Sequence, residues 1–199
     1  MANLYLVKLS PALFSHRYLN KLPIKSQALI KGYKSKQAKI QKIGSSLLIA
    51  HVLRKYKISE SLLRIDKNGK PYVIGNEIHF NVSHSYNVLV CVTSNSVIGV
   101  DVEMTNPRLK MIKSMFLSTN EQKEYLHSSD SQLTQIWACK EAIVKMTGVG
   151  LSKRLHTINN KNIACTHIIK YGNAWIAIAS KNKIIKPKIQ VIKLNGLLN

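Results

Sequence analysis

Two short segments bring together the acidic and basic side chains that could do chemistry. One is strand-like and contains Asp101 and Glu103; the other is helix-like and contains Glu141 and Lys145. Residues two apart in a strand point the same way, and residues four apart in a helix share a face. Each pair can therefore be presented together. Three carboxylates on two rigid elements, flanked by ammonium groups, could hold a divalent cation against the phosphates of a substrate.

The alternative is ordinary surface chemistry. Asp101 and Glu103 could be solvated carboxylates at a strand end, and Glu141 could pair with the lysine one helical turn later. The chain has only nine acidic residues in 199. Because three of the nine fall in these two segments, the pattern favours a site.

Hydrophobic periodicity predicts the elements that must position these side chains. Apolar residues recur every three or four positions from Ser35 to about Tyr56, which is typical of a long amphipathic helix. Ser118 is the expected N-cap of a later helix, with Glu121 as its capping-box acid. Further helices are predicted at 108–116, 119–127 and 130–147. Strands are predicted at 3–9, 78–82, 88–93, 97–103, 163–170, 175–179 and 188–193.

The order of these elements repeats along the chain. A long helix followed by strands occurs once in residues 1–98, and helices followed by strands occur again in residues 99–199. This order predicts an α+β fold of two halves that pack closely, with the site between them. No sequence identity between the halves is visible, so the repeat is inferred from element order.

The segments also resemble a known family. The motifs that carry the resemblance, in order, are Gly69-Lys70-Pro71, Phe80 to Ser85, Gly99 to Glu103, Phe116 to Glu121, Trp137 to Lys145 and Gly148 to Leu151. They are similar to those of the 4'-phosphopantetheinyl transferases, enzymes that activate carrier proteins of fatty-acid, polyketide and nonribosomal peptide synthesis. In the small trimeric members the aspartate motif lies near the N-terminus. Here it begins at residue 99, so the larger, pseudo-dimeric (surfactin-synthetase-activating) type fits better.

The resemblance implies a fold, a reaction and a set of site residues. The fold has two pseudo-symmetric halves, each a long helix on a small antiparallel sheet. The reaction transfers 4'-phosphopantetheine from coenzyme A to a serine of an acyl or peptidyl carrier protein and releases adenosine 3',5'-bisphosphate. The implied Mg²⁺ ligands are Asp101, Glu103 and Glu141. The implied catalytic residues are Glu141, Lys145 and Glu121, and the coenzyme A-binding residues are Lys25, Lys70, Ser83, His84 and Lys140.

Several of these residues have a structural alternative. Glu121, which matches a family acid proposed to deprotonate the carrier serine, could serve only the capping box. Ser83 and His84 could be read as a nucleophile and its base, but adjacent strand residues point to opposite faces and no third orienting group is evident. Any one of the lysines could be an ordinary surface or turn residue.

One position departs from the family pattern. Where a basic residue, often arginine, lies on the first long helix of the family, this chain has Ile40. Lys36 or Lys39 could substitute, although an ammonium lacks the planar fork of a guanidinium. We expect weaker coenzyme A binding than in relatives with arginine, and tighter binding in Ile40→Arg.

The net charge of +21 allows three interpretations. An AT-rich genome would produce scattered lysines without selection, and a nucleic-acid-binding protein would use them directly. A carrier-protein enzyme would use them to steer an acidic partner. The lysines are scattered and lack aromatic residues between them, which disfavours nucleic acid. A catalytically inactive homologue or a basic nucleic-acid-binding protein remains the alternative function.

Composition indicates the compartment. No run of about 18 apolar residues occurs, so no membrane helix is expected. The N-terminus alternates as a strand does, and no secretory signal is predicted. Cys91, Cys139 and Cys165 are not spaced as Cys-x-x-Cys, which argues against zinc and disulfides. We expect a cytoplasmic monomer.

Overall fold

The computed structural model of the chain describes residues 2–75, 78–148, 155–158, 165–182 and 186–198. Its strands are β1 Asn3–Lys8, β2 Leu63–Ile65, β3 Pro71–Val73, β4 His79–Ser85, β5 Val88–Ser94, β6 Ile98–Met104, β7 Cys165–Tyr171, β8 Ala174–Ser180 and β9 Lys188–Ile192. Its α-helices are α1 His16–Leu19, α2 Ile24–Gly32, α3 Lys36–Lys55, α4 Lys113–Phe116, α5 Thr119–Glu124 and α6 Asp130–Thr147. The fold class is α+β, as predicted.

The strands form two main sheets and a small hairpin. The first sheet has the order β4-β5-β1-β9, the second has the order β6-β8-β7, and β2 pairs with β3. Strand β1 pairs antiparallel with β5 but parallel with β9. Apart from this parallel pair, the neighbouring strands of the described residues are antiparallel, as predicted. The parallel pair arises because strand β9 returns to lie beside the first strand.

The elements form four layers, because both main sheets present apolar side chains on their two faces. One face of the first sheet, with Tyr5 and Leu89, packs against α3. Its other face, with Leu6, packs against Val100 on the second sheet. The far face of the second sheet, with Ala177, packs against α6. The order is thus α3, first sheet, second sheet, α6, as strand period two dictates for sheets buried on both faces.

The two long helices begin and end where the sequence indicates. Helix α3 is N-capped by Ser35, whose hydroxyl accepts from the main chain of Ala38. Helix α6 begins with a capping box formed by Ser129 and Gln132, and ends at Gly148 in the left-handed conformation that glycine adopts without a Cβ clash. The predictions of helices at about 35–56 and at 130–147 are confirmed.

The shorter elements differ from their predicted bounds. The segment predicted as a helix at 108–116 is a 3₁₀ turn, Pro107–Ile112, followed by one turn of α-helix. Strand β4 continues past its predicted end to Ser85, so Ser83 and His84 lie within the strand. Residues 149–151 of the Gly-x-Gly-Leu motif and the start of the strand predicted at 163 lie outside the described residues.

The C-terminal residues cross the predicted division between the halves. Leu197 lies in the same hydrophobic core as α3, and the guanidinium of Arg54 donates to the carbonyl of Leu197 at 3.0 Å. Together with the β1–β9 pairing, these contacts attach residues 188–198 to the N-terminal sheet. The division at residues 98 and 99 and the pseudo-symmetry of the halves stay predictions. In the described part of the chain, none of the helices has the length and apolarity needed to span a membrane.

Candidate active site

A glycine allows α6 to lie directly on β6. A Cβ placed on Gly99 would be 2.1 Å from the carbonyl oxygen of Ala142 and 2.4 Å from the main-chain nitrogen of Met146. Both of these atoms are helix backbone, so they cannot move aside as a flexible side chain could. The close approach brings the helix residues Glu141 and Lys145 to the strand residue Asp101.

Asp101, Lys145 and Ser83 form a compact polar group at this contact. The Lys145 ammonium lies 2.6 Å from Oδ1 of Asp101 and 2.9 Å from Oγ of Ser83. The Ser83 hydroxyl donates to the same Asp101 oxygen at 2.8 Å. Asp101 and Ser83 are buried, while the Lys145 side chain is 27% exposed. The ammonium therefore lies at the mouth of the group, where it can meet a ligand from solvent.

Negative charge accumulates around Asp101. Burial, and next the charge of Asp101, raise the pKa of Glu103 to about 7, and the same two causes raise the pKa of Glu141 to about 7. The second oxygen of Asp101, Oδ2, is buried and has no hydrogen-bond partner among the described residues. The three carboxylates thus repel one another, and one lysine offsets only part of that repulsion.

This electrostatic imbalance fits a divalent cation. Carboxylate oxygens are the ligands that Mg²⁺ prefers, and a second cation would satisfy the unpaired Asp101 oxygen and relieve the repulsion. The carboxylates are not drawn into a closed cluster: among the described residues, no three His, Cys, Asp or Glu side chains are gathered as a ready metal site. Ligation by Asp101, Glu103 and Glu141 stays a prediction, supported by their charge and chemistry.

Ser83 and His84 lie on opposite sides of β4. Ser83 is 5% exposed, whereas His84 is exposed. Desolvation, and then the positive charge of Lys145, lower the pKa of His84. Because the two side chains diverge, a nucleophile–base pair is excluded by the geometry. The assignment of His84 as a coenzyme A-binding residue stays a prediction.

Lys70 reaches the same region from the turn between β2 and β3. Its ammonium donates to the carbonyl of Lys145 at 2.6 Å and to that of Met146 at 3.4 Å, at the negative end of the α6 dipole. Burial lowers the pKa of Lys70. This turn and the end of α6 enclose a cavity of about 330 Å³, lined among others by Lys70, Phe80, Ile98 and Thr147.

Glu121 and Lys140 form a separate ion pair. Oε2 of Glu121 accepts from the Lys140 ammonium at 2.7 Å and from the main chain of Ser118 at 2.8 Å. The predicted capping box is confirmed. Although burial opposes it, the hydrogen bonds from Lys140 and Ser118 lower the pKa of Glu121. The Lys140 side chain is 0% exposed, so in this conformation it offers no donor to a ligand.

Two further predicted positions have different outcomes. The side chain of Lys25 lies outside the described residues, so its assignment as a coenzyme A ligand stays a prediction. Ile40 is 4% exposed and belongs to the core beneath α3. An arginine there would bury its guanidinium, which argues against tighter binding in Ile40→Arg, and the effect on coenzyme A affinity stays a prediction. Lys36 and Lys39 lie towards the surface of the same helix.

Sequence reasoning missed two polar residues of β4. Asn81 and Ser85 are 4% and 7% exposed and accept hydrogen bonds from the main chain of β6. Their spacing of two from Ser83 was a usable signal, because residues 81, 83 and 85 of a strand share one face. A polar residue at each of those positions, between buried strands, indicates a hydrogen-bonded contact.

Part of the chain is similar to known proteins. Residues 97–185 match the 4'-phosphopantetheinyl transferase superfamily. The 4'-phosphopantetheinyl transferase Sfp of Bacillus subtilis (strain 168) is 28% identical over 144 residues, 69% of this chain and 64% of that protein. The 4'-phosphopantetheinyl transferase gsp of Aneurinibacillus migulanus is 31% identical over 133 residues, 64% of this chain and 56% of that protein.

A third relative, the 4'-phosphopantetheinyl transferase psf-1 of Bacillus pumilus, is 29% identical over 114 residues, 53% of this chain and 49% of that protein. This chain thus spans about half to two-thirds of the length of these relatives. The region matched to the superfamily contains Asp101 and Lys145 of the polar group, and Ser83 lies outside it. Over these residues the chain is similar to members of the 4'-phosphopantetheinyl transferase superfamily.

Proposed function

We propose that this protein transfers 4'-phosphopantetheine from coenzyme A to a serine of an acyl or peptidyl carrier protein. The observation that carries the proposal is the ion pair of Asp101 with Lys145 at the contact of β6 and α6, with Glu103 on the same strand and Glu141 on the same helix, in a region matched to the superfamily. An arrangement of acids and one partly exposed ammonium suits a diphosphate held through a cation.

The proposed ligand of the carboxylates is Mg²⁺. Asp101, Glu103 and Glu141 would hold it, and when bound it would offset charge on the diphosphate. Lys145 would donate to a diphosphate oxygen from the mouth of the site. His84 would add a donor on the exposed side of β4, and Ser83 would keep Asp101 oriented.

The remaining part of coenzyme A would extend toward Lys70. The cavity between the Lys70 turn and the end of α6 is lined by apolar side chains, including Phe80 and Ile98, and by the polar side chains of Lys70, Asp66 and His79. Such a lining suits a nucleotide whose base is apolar on its faces and whose phosphates are anionic. Lys25 and Lys140 complete the predicted set without structural support from the described contacts.

In the reaction, the oxygen of the carrier serine would attack the β-phosphorus of coenzyme A. The bond from that phosphorus to the bridging oxygen breaks, and adenosine 3',5'-bisphosphate leaves. The serine proton needs an acceptor. Of the predicted catalytic acids, Glu121 is the less available as this acceptor, because its Oε2 is already held by Lys140 and Ser118.

Cytoplasmic location and a monomeric state are part of the same proposal. The carrier is proposed to be acidic, since acyl carrier proteins carry strong negative charge and this chain has a net charge of +21. Complementary charge raises the rate of encounter between such partners.

The test is direct. The protein is incubated with coenzyme A, Mg²⁺ and a panel of apo-carrier proteins, and intact mass is recorded. We expect one phosphopantetheine per carrier, abolished by chelation and by replacing the carrier serine with alanine. No mass gain on any carrier would contradict the proposal.

A further inference from the structure

The turn between β4 and β5 contains a tyrosine in an unfavourable backbone conformation. Ser85 pairs with Val88, so Tyr86 and Asn87 form a two-residue hairpin loop. The backbone of Tyr86 has a φ of 49°, in the left-handed region. Two-residue hairpin loops favour a positive φ at their first position, which glycine, asparagine or aspartate usually occupies. A tyrosine in this conformation is destabilising, because its Cβ lies too close to the backbone.

Two glutamines hold this turn in place. The side-chain amides of Gln37 and Gln41 both donate to the carbonyl oxygen of Tyr86, Gln41 at 3.1 Å. The glutamines lie four residues apart on α3 and thus share one face of the helix. In addition, the carbonyl of Asn87 accepts from the main chain of Leu9 at 2.7 Å. Strained residues persist where the surrounding structure fixes them, and they cluster at functional sites.

The fixed turn presents the side chain of Tyr86 to solvent. The residue is 70% exposed. Because so much of the side chain faces water, packing within the fold offsets little of the backbone strain. A rigid aromatic ring on a fixed turn is instead suited to contact another molecule, since it buries a large area with a small loss of side-chain entropy.

Strand β4 places Tyr86 relative to the proposed site. Phe80, near the start of the strand, lines the cavity proposed for the nucleotide. Ser83, in the middle, contacts Asp101 and Lys145. Tyr86 follows the last residue of the strand. At about 3.3 Å per residue, Phe80 and Tyr86 lie about 10 Å to either side of Ser83 along the strand.

The geometry of the reaction determines which reactant meets the Tyr86 end. In phosphoryl transfer the attacking and leaving oxygens lie roughly in line across the phosphorus. If the nucleotide leaves toward the Phe80 end, the serine oxygen approaches from the opposite side, which is the Tyr86 end. The carrier protein therefore arrives where the tyrosine is exposed.

We propose that Tyr86 is a carrier-contact residue, whose ring packs against an apolar side chain of the carrier protein next to the modified serine. This inference deepens the proposed function and rests on it. The tyrosine raises the affinity for the carrier and takes no part in the transfer of the phosphoryl group. The strained turn fixes the ring at this position.

The experiment compares three variants. Tyr86→Gly removes the ring and the strain together, and Tyr86→Phe keeps the ring. Lys57→Gly is the matched control, because Lys57 is the other non-glycine residue with a positive φ, at 57°, in the part of the chain that the structure describes, and it is exposed just after α3. Both glycine variants should melt about 2 °C above wild type, because glycine adopts this conformation without a Cβ clash.

Carrier binding is measured with and without transfer. Steady-state transfer gives the KM for the carrier and for coenzyme A, and titration calorimetry gives the Kd for a carrier whose serine is replaced by alanine. We expect Tyr86→Gly to raise the carrier KM and this Kd about fivefold, the scale of one aromatic contact. Its KM for coenzyme A and its kcat at saturating carrier should stay within about twofold of wild type. Tyr86→Phe and Lys57→Gly should stay within about twofold throughout.

Equal carrier affinity in Tyr86→Gly and Lys57→Gly would overturn the inference. A Tyr86→Phe variant as weak as Tyr86→Gly would also overturn it, because the ring would then not be the contact. So would a Tyr86→Gly variant that melts below wild type, because the tyrosine would then serve the fold.

Failure of the proposed function is distinguishable from failure of this inference. A wild type that transfers phosphopantetheine with no dependence of the carrier KM on Tyr86 would contradict the inference alone. A wild type that binds the carrier in a Tyr86-dependent way but transfers nothing would contradict the transferase proposal while supporting the role of Tyr86. A wild type that neither binds nor modifies any carrier would contradict both.

Discussion

Asp101 uses one carboxylate oxygen for both Lys145 and Ser83 and keeps its other oxygen buried without a partner among the described residues. A buried acceptor in that state costs free energy, and its charge also raises the pKa of Glu103 and Glu141. The site is therefore destabilised in the absence of a cation. Binding of a cation is expected to recover that free energy.

The first prediction follows from the raised pKa of Glu103. Its folded-state pKa of about 7 lies above the ordinary value of 4.5. The folded protein thus holds the proton more tightly, and stability from this group is full below pH 4.5 and is lost as pH rises through 7. In the presence of a metal chelator, the free energy of unfolding of Glu103→Gln should exceed that of wild type by on the order of 1 kcal/mol at pH 8. Near pH 4.5 the two free energies should be equal.

The measurement is urea unfolding at a series of pH values. Glu124→Gln, at an exposed position, is the control and should follow wild type throughout. Added Mg²⁺ should remove the advantage of Glu103→Gln at pH 8. A wild type whose stability does not fall between pH 5 and 8 relative to Glu103→Gln would contradict the raised pKa.

The sequence predicts which acidic residues share a face of a strand or helix, whereas it does not predict how deeply each lysine is buried. Asp101, Glu103 and Glu141 follow from periods of two and four, which are properties of local structure. Lys140 and Lys145 lie on one helix in a similar sequence context, yet one is buried against Glu121 and the other is 27% exposed at the mouth. Their difference depends on where α5 and β6 pack, which is a long-range matter.

At the scale of elements, the contact of α6 with β6 decides whether the site forms. Gly99→Ala would place a methyl group against helix backbone. We expect a loss of about 3 kcal/mol, the upper end for overpacking, and loss of transfer activity because Glu141 and Lys145 move away from Asp101. Unfolding and transfer assays measure the two effects.

Gly32→Ala is the control for that change. Gly32 ends α2, and a Cβ there meets nothing within 4 Å. Its stability should stay within about 0.5 kcal/mol of wild type. If Gly99→Ala behaved like Gly32→Ala in both assays, the close approach of helix and strand would not be required.

The ion pair between α5 and α6 gives another prediction. Lys140 is 0% exposed and Glu121 is 19% exposed. Leaving Lys140 without its partner should therefore cost more free energy than leaving Glu121 without its partner. Glu121→Gln should destabilise the fold by about 3 kcal/mol, and Lys140→Met by less, because water can solvate the remaining carboxylate. Combining both changes should recover part of the loss.

Kinetics test the other assignment of Lys140. If its role is this ion pair, Lys140→Met leaves the KM for coenzyme A unchanged in the folded fraction. A large rise in that KM with normal stability would instead favour the coenzyme A-binding role that the family resemblance implies.

Long helices with clear capping residues could be predicted from the sequence, whereas the pairing of strands could not. Helix α6 has a capping box at one end and a left-handed glycine at the other, both readable locally. Strand β9 was predicted as a strand, but period two does not say which strand it joins. Its pairing with β1 is set by packing of residues distant in sequence. Helix α2 and strands β2 and β3 were not predicted, because their sequences show too little periodicity of apolar residues.

Across the whole molecule, charge is distributed unevenly. All nine acidic residues lie between Glu60 and Glu141, so residues 1–59 and 142–199 carry positive charge alone. If this charge steers an acidic carrier, raising salt from 50 to 300 mM, across which the Debye length shortens, should raise the KM for the carrier several-fold. The KM for coenzyme A, whose contacts are local, should change less.

The control is a carrier protein with fewer acidic residues, whose KM should depend less on salt. Measuring duplex DNA binding in the same buffers distinguishes carrier-protein steering from the alternative function, nucleic-acid binding. Tight binding at 150 mM salt with a steep salt dependence, together with a carrier KM that ignores salt, would favour nucleic acid as the partner.

The central claim is that the protein is a Mg²⁺-dependent phosphopantetheinyl transferase whose activity requires Asp101, at the contact of β6 and α6. The most direct measurement is intact mass of a carrier protein after incubation with coenzyme A and Mg²⁺, for wild type, Asp101→Asn and the exposed control Glu124→Gln. We expect mass gain with wild type and the control, and a rate at least about a hundredfold lower with folded Asp101→Asn, since metal stabilisation of developing charge is worth several kcal/mol. Transfer by Asp101→Asn at the wild-type rate would contradict the claim.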